Sequence, residues 1–251
     1  MKKIIILFLK KVSRLLYYVY LALHYITPVE IRKLKSKTKL KLMLEDKLFE
    51  ETYDYFEKDF KKSLITDSLT RIREYAIQSS LLNDKNKEYY YLEFGVWKGK
   101  SSNFFSKFVN KLYCFDSFEG LKEDWVGTSF QKGFFNLNKK IPKLNPNVEP
   151  VVGWIEDTLD DFLKKHNPKI NFVHLDMDTY SPTKHILKKI KPYLVKDAII
   201  LFDELFYYIG WEHGEYKALK EVFNDNEFIY RSFRIEGIQR IGYGQCAIQI
   251  L

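Results

Sequence analysis

YYYLEFGVWKGKSS, residues Tyr89 to Ser102, is the stretch on which the reading of the chain turns. Tyr89 to Phe94 are aromatic or apolar apart from Glu93, Gly95 and Gly99 then bracket Val96, Trp97 and Lys98, and Ser101 and Ser102 open a helical pattern. The order is strand, glycine turn, helix start. A unit of this kind makes a nucleotide-type pocket, because glycine permits the sharp turn and lets a ligand approach backbone N–H groups at a helix N-terminus. A buried strand followed by an ordinary glycine turn accounts for the stretch equally well.

Glu93 narrows the ligand. Glu93-x-Gly95-x-x-x-Gly99 is neither the dinucleotide pattern G-x-G-x-x-G nor a P-loop, since no Gly-Lys-Ser/Thr follows at the required spacing. A carboxylate here repels a pyrophosphate but suits a ligand carrying an ammonium group, and S-adenosylmethionine (SAM) is such a ligand.

Working outward, strands are expected at Tyr89 to Phe94, Lys111 to Phe115, Val148 to Val152, Asn171 to Leu175, Ala198 to Phe202, Phe228 to Phe233 and Gln245 to Leu251. Helical patterns at Ser101 to Val109, Asp157 to His166 and Ser181 to Leu194 separate the first five, with Gly120 to Asn145 as an irregular insertion. This alternation predicts an α/β fold, a mostly parallel seven-stranded sheet with helices on both faces. Ligands of such sheets sit at the carboxyl ends of the strands.

Those ends are acidic. Glu93 closes the first strand and Asp116 the second; Glu156 and Asp157 follow the third, Asp176 and Asp178 the fourth, Asp203 and Glu204 the fifth. Asp116 stands about 20 residues beyond the glycine turn, where an acid accepts hydrogen bonds from a ribose diol, although a turn residue in Asp116-Ser117 is an alternative. Asp157, beside Thr158, also reads as a helix cap. Asp176, Asp203 and Glu204 end neighbouring strands; clustered carboxylates repel unless a cation or proton joins them, so oxygen ligands here favour Mg²⁺ or a similar ion. No Cys/His cluster has zinc spacing, and His174 is expected to point into the sheet layers. His213 reads as a loop histidine near solvent. Trp125, Trp154 and Trp211 are candidates to line one mouth, where aromatic faces suit a sugar ring or adenine, and core packing explains them nearly as well.

LEFGVWKGKSS, YCFDSFEGL, GWIEDTL, HLDMDTYSPT and FDELF together resemble the SAM-dependent sugar O-methyltransferases related to macrocin O-methyltransferase, which have the class I methyltransferase (Rossmann-like) fold. The resemblance covers about residues 89 to 225. It implies SAM held by Glu93, Gly95, Gly99 and Asp116, with Ser101, Ser117, Trp154 and Asp157 as neighbours. It implies a divalent ion at Asp176, Asp203 and Glu204 holding two oxygens of a sugar diol, with Asp176 as general base. Two departures stand out: related enzymes often carry two aspartates where this chain has Asp203 and Glu204, and Tyr207 to Tyr216 need not match in length. One rival is a metal-dependent glycosyltransferase using Asp176-Met177-Asp178 as a D-x-D; another is a non-catalytic SAM-fold module tethered to membranes.

The chain has 251 residues and a net charge of +8. Residues 1 to 50 hold 12 Lys/Arg against 4 Asp/Glu, which leaves 29 against 29 in the remainder. A neutral body argues against a nucleic-acid partner, and the basic arm points to an anionic surface. Three segments are expected: a basic amphipathic arm over 1–47, a helical lid or cap over 48–88 and the methyltransferase domain over 89–251. Neither apolar run in residues 1 to 28 approaches the roughly 18 to 20 residues needed to span a bilayer. Residues 1–45 therefore read as a peripheral contact with the inner face of the membrane on an otherwise cytoplasmic protein, a helix capping the domain and a homo-oligomer contact being the alternatives. Cys114 and Cys246 fall in expected strands and read as reduced core thiols. The acceptor, a small molecule or glycan, is left open.

Overall fold

The computed structural model describes residues 11–19, 39–235 and 243–251. It divides the chain into two compact units, Met1–Lys47 and Leu48–Leu251. In the first unit residues 11–19 are helical, with Leu15, Leu16, Tyr17 and Tyr18 exposed; the rest of the expected interfacial helix lies largely outside the described residues. No helix among the described residues is long and apolar enough to cross a membrane.

The second unit is built on one sheet of eight strands in the order β1-β7-β8-β6-β5-β2-β3-β4. These are β1 (Leu64–Thr66), β2 (Tyr90–Phe94), β3 (Leu112–Asp116), β4 (Val148–Val152), β5 (Ile170–Leu175), β6 (Leu194–Phe206), β7 (Phe228–Arg234) and β8 (Gly244–Ile250). Every pairing is parallel except that β8 runs antiparallel to both β6 and β7. The expected seven strands are all present. The eighth, β1, lies in a segment read from the sequence as helical, and three residues are too few to display a period of two against the helical spacing on either side.

The central strands are buried on both sides, so they read as nearly continuous apolar runs rather than alternating ones. Successive side chains still go to opposite faces. Leu92, Phe94, Tyr113, Phe115, Ile200 and Phe202 join one core layer; Tyr91, Leu112, Cys114, Phe172, Ile199 and Leu201 join the other. Both cysteines are buried free thiols.

Residues 48–60 of helix α1 (Lys39–Phe60), with α2 (Leu69–Asn83), α3 (Lys100–Phe105), α4 (Ile155–His166), α5 (Tyr180–Ile190) and α6 (Glu215–Val222), cover the sheet on both faces. Their ends follow local chemistry. The Ser68 hydroxyl caps α2 by accepting from the Arg71 N–H at 3.3 Å. Helix α4 carries Glu156 and Asp157 in its first turn and Lys164, Lys165 and His166 in its last, which complements the helix dipole. Gly120 to Asn145 contains no helix or strand, as expected. It is held by pairs such as Leu121 N–H to the Phe134 carbonyl at 2.9 Å and by its own aromatic rings.

From α1 the Phe56 ring enters the core completely and meets Phe206, Trp211, Tyr230 and Phe233 with ring centroids 5.2 to 5.7 Å apart. Phe56→Ala is expected to destabilise the protein by about 3–5 kcal/mol, read by urea unfolding. A loss below about 1 kcal/mol would show that α1 is not part of the folding unit.

Candidate active site

The acidic strand ends lie along one edge of the sheet. In sheet order they are Asp203 and Glu204 on β6, Asp176 and Asp178 after β5, Gly95 after β2, Asp116 at the end of β3, and Gly153 and Trp154 after β4. Hydrogen bonds from Asp176 N–H to the Phe94 carbonyl (2.9 Å), Gly95 N–H to the Phe115 carbonyl (3.0 Å) and Gly153 N–H to the Asp116 carbonyl (3.1 Å) carry the strand register out to these ends. A cavity of about 400 Å³ opens above them, lined by all of those residues. Ser101, Ser117, Trp125 and Trp154 also line it, with Phe130, Phe135 and Tyr243.

The glycine turn is shaped by the neighbouring strands as well as by any ligand. Gly95 has φ +90°, and a Cβ there would come within 1.8 Å of the Asp176 carbonyl oxygen. Only glycine lets β2 pass this close to the end of β5. Gly99, φ +70°, sits at the start of α3, where a Cβ would meet the Leu144 side chain at 2.7 Å, and it stands behind the cavity wall. Asp116 organises the turn: one carboxylate oxygen accepts from the Val96 and Trp97 N–H groups at 2.8 and 2.9 Å, and the other from the Phe118 N–H at 2.7 Å. The second oxygen, Oδ1, accepts only one bond and keeps acceptor capacity. Asp157 is exposed in the first turn of α4, outside the cavity lining.

Glu93 lies beneath the cavity floor. It is fully buried, one oxygen accepting from the Ser102 hydroxyl and the other 2.9 Å from His174 Nδ1. The pairing follows from register, since Glu93 and His174 are direct neighbours across β2 and β5 and so share a face. His174 Nε2 is 3.2 Å from Asp203 Oδ1, and that same oxygen accepts from Arg73 Nη2 at 3.1 Å and from the Gln245 side-chain amide. Four alternating charges thus run Glu93, His174, Asp203, Arg73. Burial opposes charge on His174, but hydrogen bonds to Asp203 and Glu93 outweigh it and lift its pKa to about 9. Burial likewise opposes charge on Asp203, yet the hydrogen bond and charge of His174 and the Arg73 guanidinium hold its carboxyl below the usual range.

The remaining acids have no such partner. Oxygen atoms of Asp176, Asp178 and Glu204 all lie within 4.8 Å of one another, and His174, Asp176 and Asp203 form a second group by the same measure. Glu204 Oε2 is buried without a hydrogen-bond partner. Beneath them the fully buried Glu215, first residue of α6, accepts from the N–H groups of Met177 and Glu204 at 3.4 and 3.3 Å. Burial, then the charges of their neighbours, raises the pKa of Asp176, Asp178 and Glu204 well above the carboxylate range, and that of Glu215 to about 8. Asp178 also adopts φ +61°, a conformation unfavourable for a side-chain-bearing residue. Three crowded carboxylates, one with an orphaned oxygen, fit a hard divalent cation that takes oxygen ligands.

The sequence reading missed Arg73 and Glu215, which come from helices outside the motifs. Trp125 and Trp154 share the cavity as expected, whereas Trp211 packs into the core against Phe56 and Tyr216. His213 is exposed in a 3₁₀ turn, Trp211–His213.

One consequence is testable without a ligand. Groups whose pKa is raised on folding bind protons more tightly in the folded chain, so the stability they confer is complete below their unfolded values of about 4 and is lost as pH rises through the folded ones, about 8 for Glu215. In EDTA the melting temperature is therefore expected to rise as pH falls from about 8 to about 5.5. A melting temperature that falls over this window would contradict the uncompensated cluster.

A mixed eight-stranded sheet covered on both faces, with its cavity at the strand carboxyl ends, is a class I methyltransferase-like fold. Residues 92–205 match the family model for a methyltransferase domain, a span that contains the glycine turn, Asp116, Asp176, Asp178, Asp203 and Glu204. Among solved structures, the chain is similar to CalS11, a calicheamicin methyltransferase, with a TM-score of 0.54 and 20% identity over 70% of this chain and 77% of that one. It is also similar to the O-methyltransferase NovP, with a TM-score of 0.52 and 14% identity over 72% of this chain and 78% of that one. Comparison with curated protein sequences gave no match. The match over residues 92–205 and the fold support an enzyme of the methyltransferase kind.

Proposed function

We propose that the chain methylates a hydroxyl oxygen of a sugar or glycan-type acceptor, with SAM bound over the glycine turn and a divalent cation at Asp176, Asp178 and Glu204. One observation carries this reading: a single cavity joins the glycine turn and Asp116 to Asp176, Asp178 and Glu204, whose carboxylate oxygens lie within 4.8 Å of one another, with Glu204 Oε2 buried without a hydrogen-bond partner. The carbohydrate acceptor follows the resemblance of the five strand-end motifs to sugar O-methyltransferases, together with the aromatic wall formed by Trp125, Phe130 and Tyr243. Asp203, grouped with the metal ligands in the sequence reading, has its Oδ1 committed to Arg73, His174 and Gln245. Asp178 takes its place in the proposed ligand set.

When bound, SAM supplies an electrophilic methyl group and the cation supplies Lewis acidity that lowers the pKa of a hydroxyl. The protein's own task is alignment and proton removal. Asp116 and the Val96 and Trp97 backbone fix the turn beneath the cofactor; Ser101, Ser117 and Trp154 border it. Asp176, at the junction of the two halves, receives the hydroxyl proton on a carboxylate oxygen.

Thermal-shift measurement with S-adenosylhomocysteine, NAD and a UDP-sugar, each with and without Mg²⁺, tests the reading. A shift specific to S-adenosylhomocysteine, with a further shift from Mg²⁺, is expected. A shift with the UDP-sugar alone would favour the D-x-D glycosyltransferase.

The basic arm completes the proposal as a contact for anionic lipid, supported by its charge and by the exposed Leu15, Leu16, Tyr17 and Tyr18. Removing residues 1–45 is expected to abolish sedimentation with phosphatidylserine liposomes. Equal sedimentation of the shortened chain would refute the lipid contact.

A further inference from the structure

We infer that Arg73 is a cofactor-binding residue that takes the carboxylate of the amino-acid end of SAM. The inference rests on the SAM reading above and adds a residue outside the 92–205 domain match.

Arg73 lies one turn into α2, the helix capped by Ser68, and α2 packs on the face of the sheet that carries Glu93 and His174. Its side chain is 13% exposed and lines the cavity together with Leu69, Gly95 and Trp97. A guanidinium has five N–H donors in a fixed fork. Nη2 donates to Asp203 at 3.1 Å, while Nε is buried without a hydrogen-bond partner. A buried donor left unpaired is destabilising, so an anionic group bound here would relieve it.

The order of the sheet says which anion. Asp116 and Trp154, at the β3 and β4 end, border the part of the cavity suited to a nucleoside; Asp203, which holds Arg73, is on β6. Strands lie about 4.8 Å apart, so β3 and β6, three places apart, are separated by on the order of 14 Å. A ligand laid along the strand ends with its nucleoside over β3 and β4 therefore brings its other end over β2, β5 and β6, beside Arg73. For SAM that end carries a carboxylate. Asp176, Asp178 and Glu204 disfavour a second anion deeper in the cavity, which leaves Arg73 as the cation lining this end of the floor; Lys98, Lys100 and Lys122 belong to its outer walls. The Asp203 carboxylate, itself held by His174, fixes the guanidinium, so its orientation is preset before the ligand arrives.

The test compares two ligands that differ in the amino-acid end. S-adenosylhomocysteine carries the carboxylate; 5′-methylthioadenosine keeps the nucleoside and thioether but lacks it. In isothermal titration, Arg73→Gln is expected to weaken S-adenosylhomocysteine by roughly 10- to 100-fold, as for loss of a charge-assisted hydrogen bond, and 5′-methylthioadenosine by no more than about twofold. Arg73→Lys, which keeps the charge but not the fork, is expected to fall between. Equal weakening of both ligands would mean that Arg73 only supports the fold through Asp203, and undiminished S-adenosylhomocysteine binding would remove it from the site; either result overturns the inference. An unaltered chain that binds neither compound would instead contradict the SAM reading, and the assignment of Arg73 would fall with it.

Discussion

An Asp176→Asn chain is expected to lose methyl transfer by about 10²- to 10⁴-fold in kcat while binding S-adenosylhomocysteine within a few-fold of the unaltered chain. The asymmetry follows from the geometry. Asp176 stands between the two halves of the cavity, yet its backbone N–H and carbonyl, not its carboxylate, make the contacts with the glycine strand: the N–H donates to Phe94 and the carbonyl abuts Gly95. Asparagine preserves both backbone contacts. It removes the group that receives the proton and one donor of the proposed cation set, so turnover falls and the turn stays in place. Methyl-labelled SAM and a sugar acceptor that the unaltered chain methylates give the rate, and calorimetry gives the affinity. The substitution also relieves repulsion among buried carboxylates, so without metal the variant is expected to melt higher. Cofactor affinity that falls in step with turnover would place Asp176 in the cofactor half instead.

Gly95→Ala is the second large effect, and it acts through the backbone. A Cβ at 1.8 Å from the Asp176 carbonyl oxygen overlaps an atom that cannot rotate away, because Asp176 is tied to Phe94 by the ladder bond of 2.9 Å. The left-handed conformation adds roughly 1–2 kcal/mol for any residue with a side chain. Moving β2 away from β5 to make room also breaks the register that pairs Glu93 with His174. A loss of at least 3 kcal/mol, on the order expected for overpacking plus strain, is expected in denaturant unfolding, along with loss of S-adenosylhomocysteine binding. A folded Gly95→Ala chain with normal affinity would mean that the turn is more compliant than its packing implies.

Much of the fold was legible because the decisive signals are local. Val148–Val152 is the strand the sequence indicated, and β2, β3 and β5 differ from expectation only at their ends, since apolar runs between glycine turns and amphipathic helices leave few alternatives. The antiparallel β8 was legible as a strand but not in direction, which depends on how the chain returns after α6. The chemistry was harder to read. Acids at strand ends could be counted, but a residue's position on a strand does not reveal its partner. Glu93 was expected to reach the cofactor; cross-strand register turns it toward His174 instead. Asp203 and Glu204 are adjacent in sequence at an irregular end of β6, yet one joins the Arg73 and His174 chain and the other groups with Asp176 and Asp178. Arg73 and Glu215 carry no motif at all. Each arrives from a helix whose packing, not spacing, places it at the strand ends.

On the proposed function, a division of labour along the sheet edge would let one small cavity take both reactants. A chain of alternating charges from Glu93 to Arg73 is internally balanced and stiffens the floor under the glycine turn. Beside it, Asp176, Asp178, Glu204 and Glu215 leave an excess of carboxylate that only protons or a cation relieves. The balanced half is suited to holding a zwitterionic cofactor, and the unbalanced half to gathering a cation and the hydroxyls it draws in.

The separation of these halves is the central claim, and calorimetric titration of S-adenosylhomocysteine and then Mg²⁺ into the unaltered and Asp178→Asn chains tests it most directly. The unaltered chain is expected to bind one S-adenosylhomocysteine without added metal and then one Mg²⁺, and Asp178→Asn to keep the first and lose the second. An unaltered chain that fails to bind S-adenosylhomocysteine, or an Asp178→Asn chain that loses both together, would contradict it.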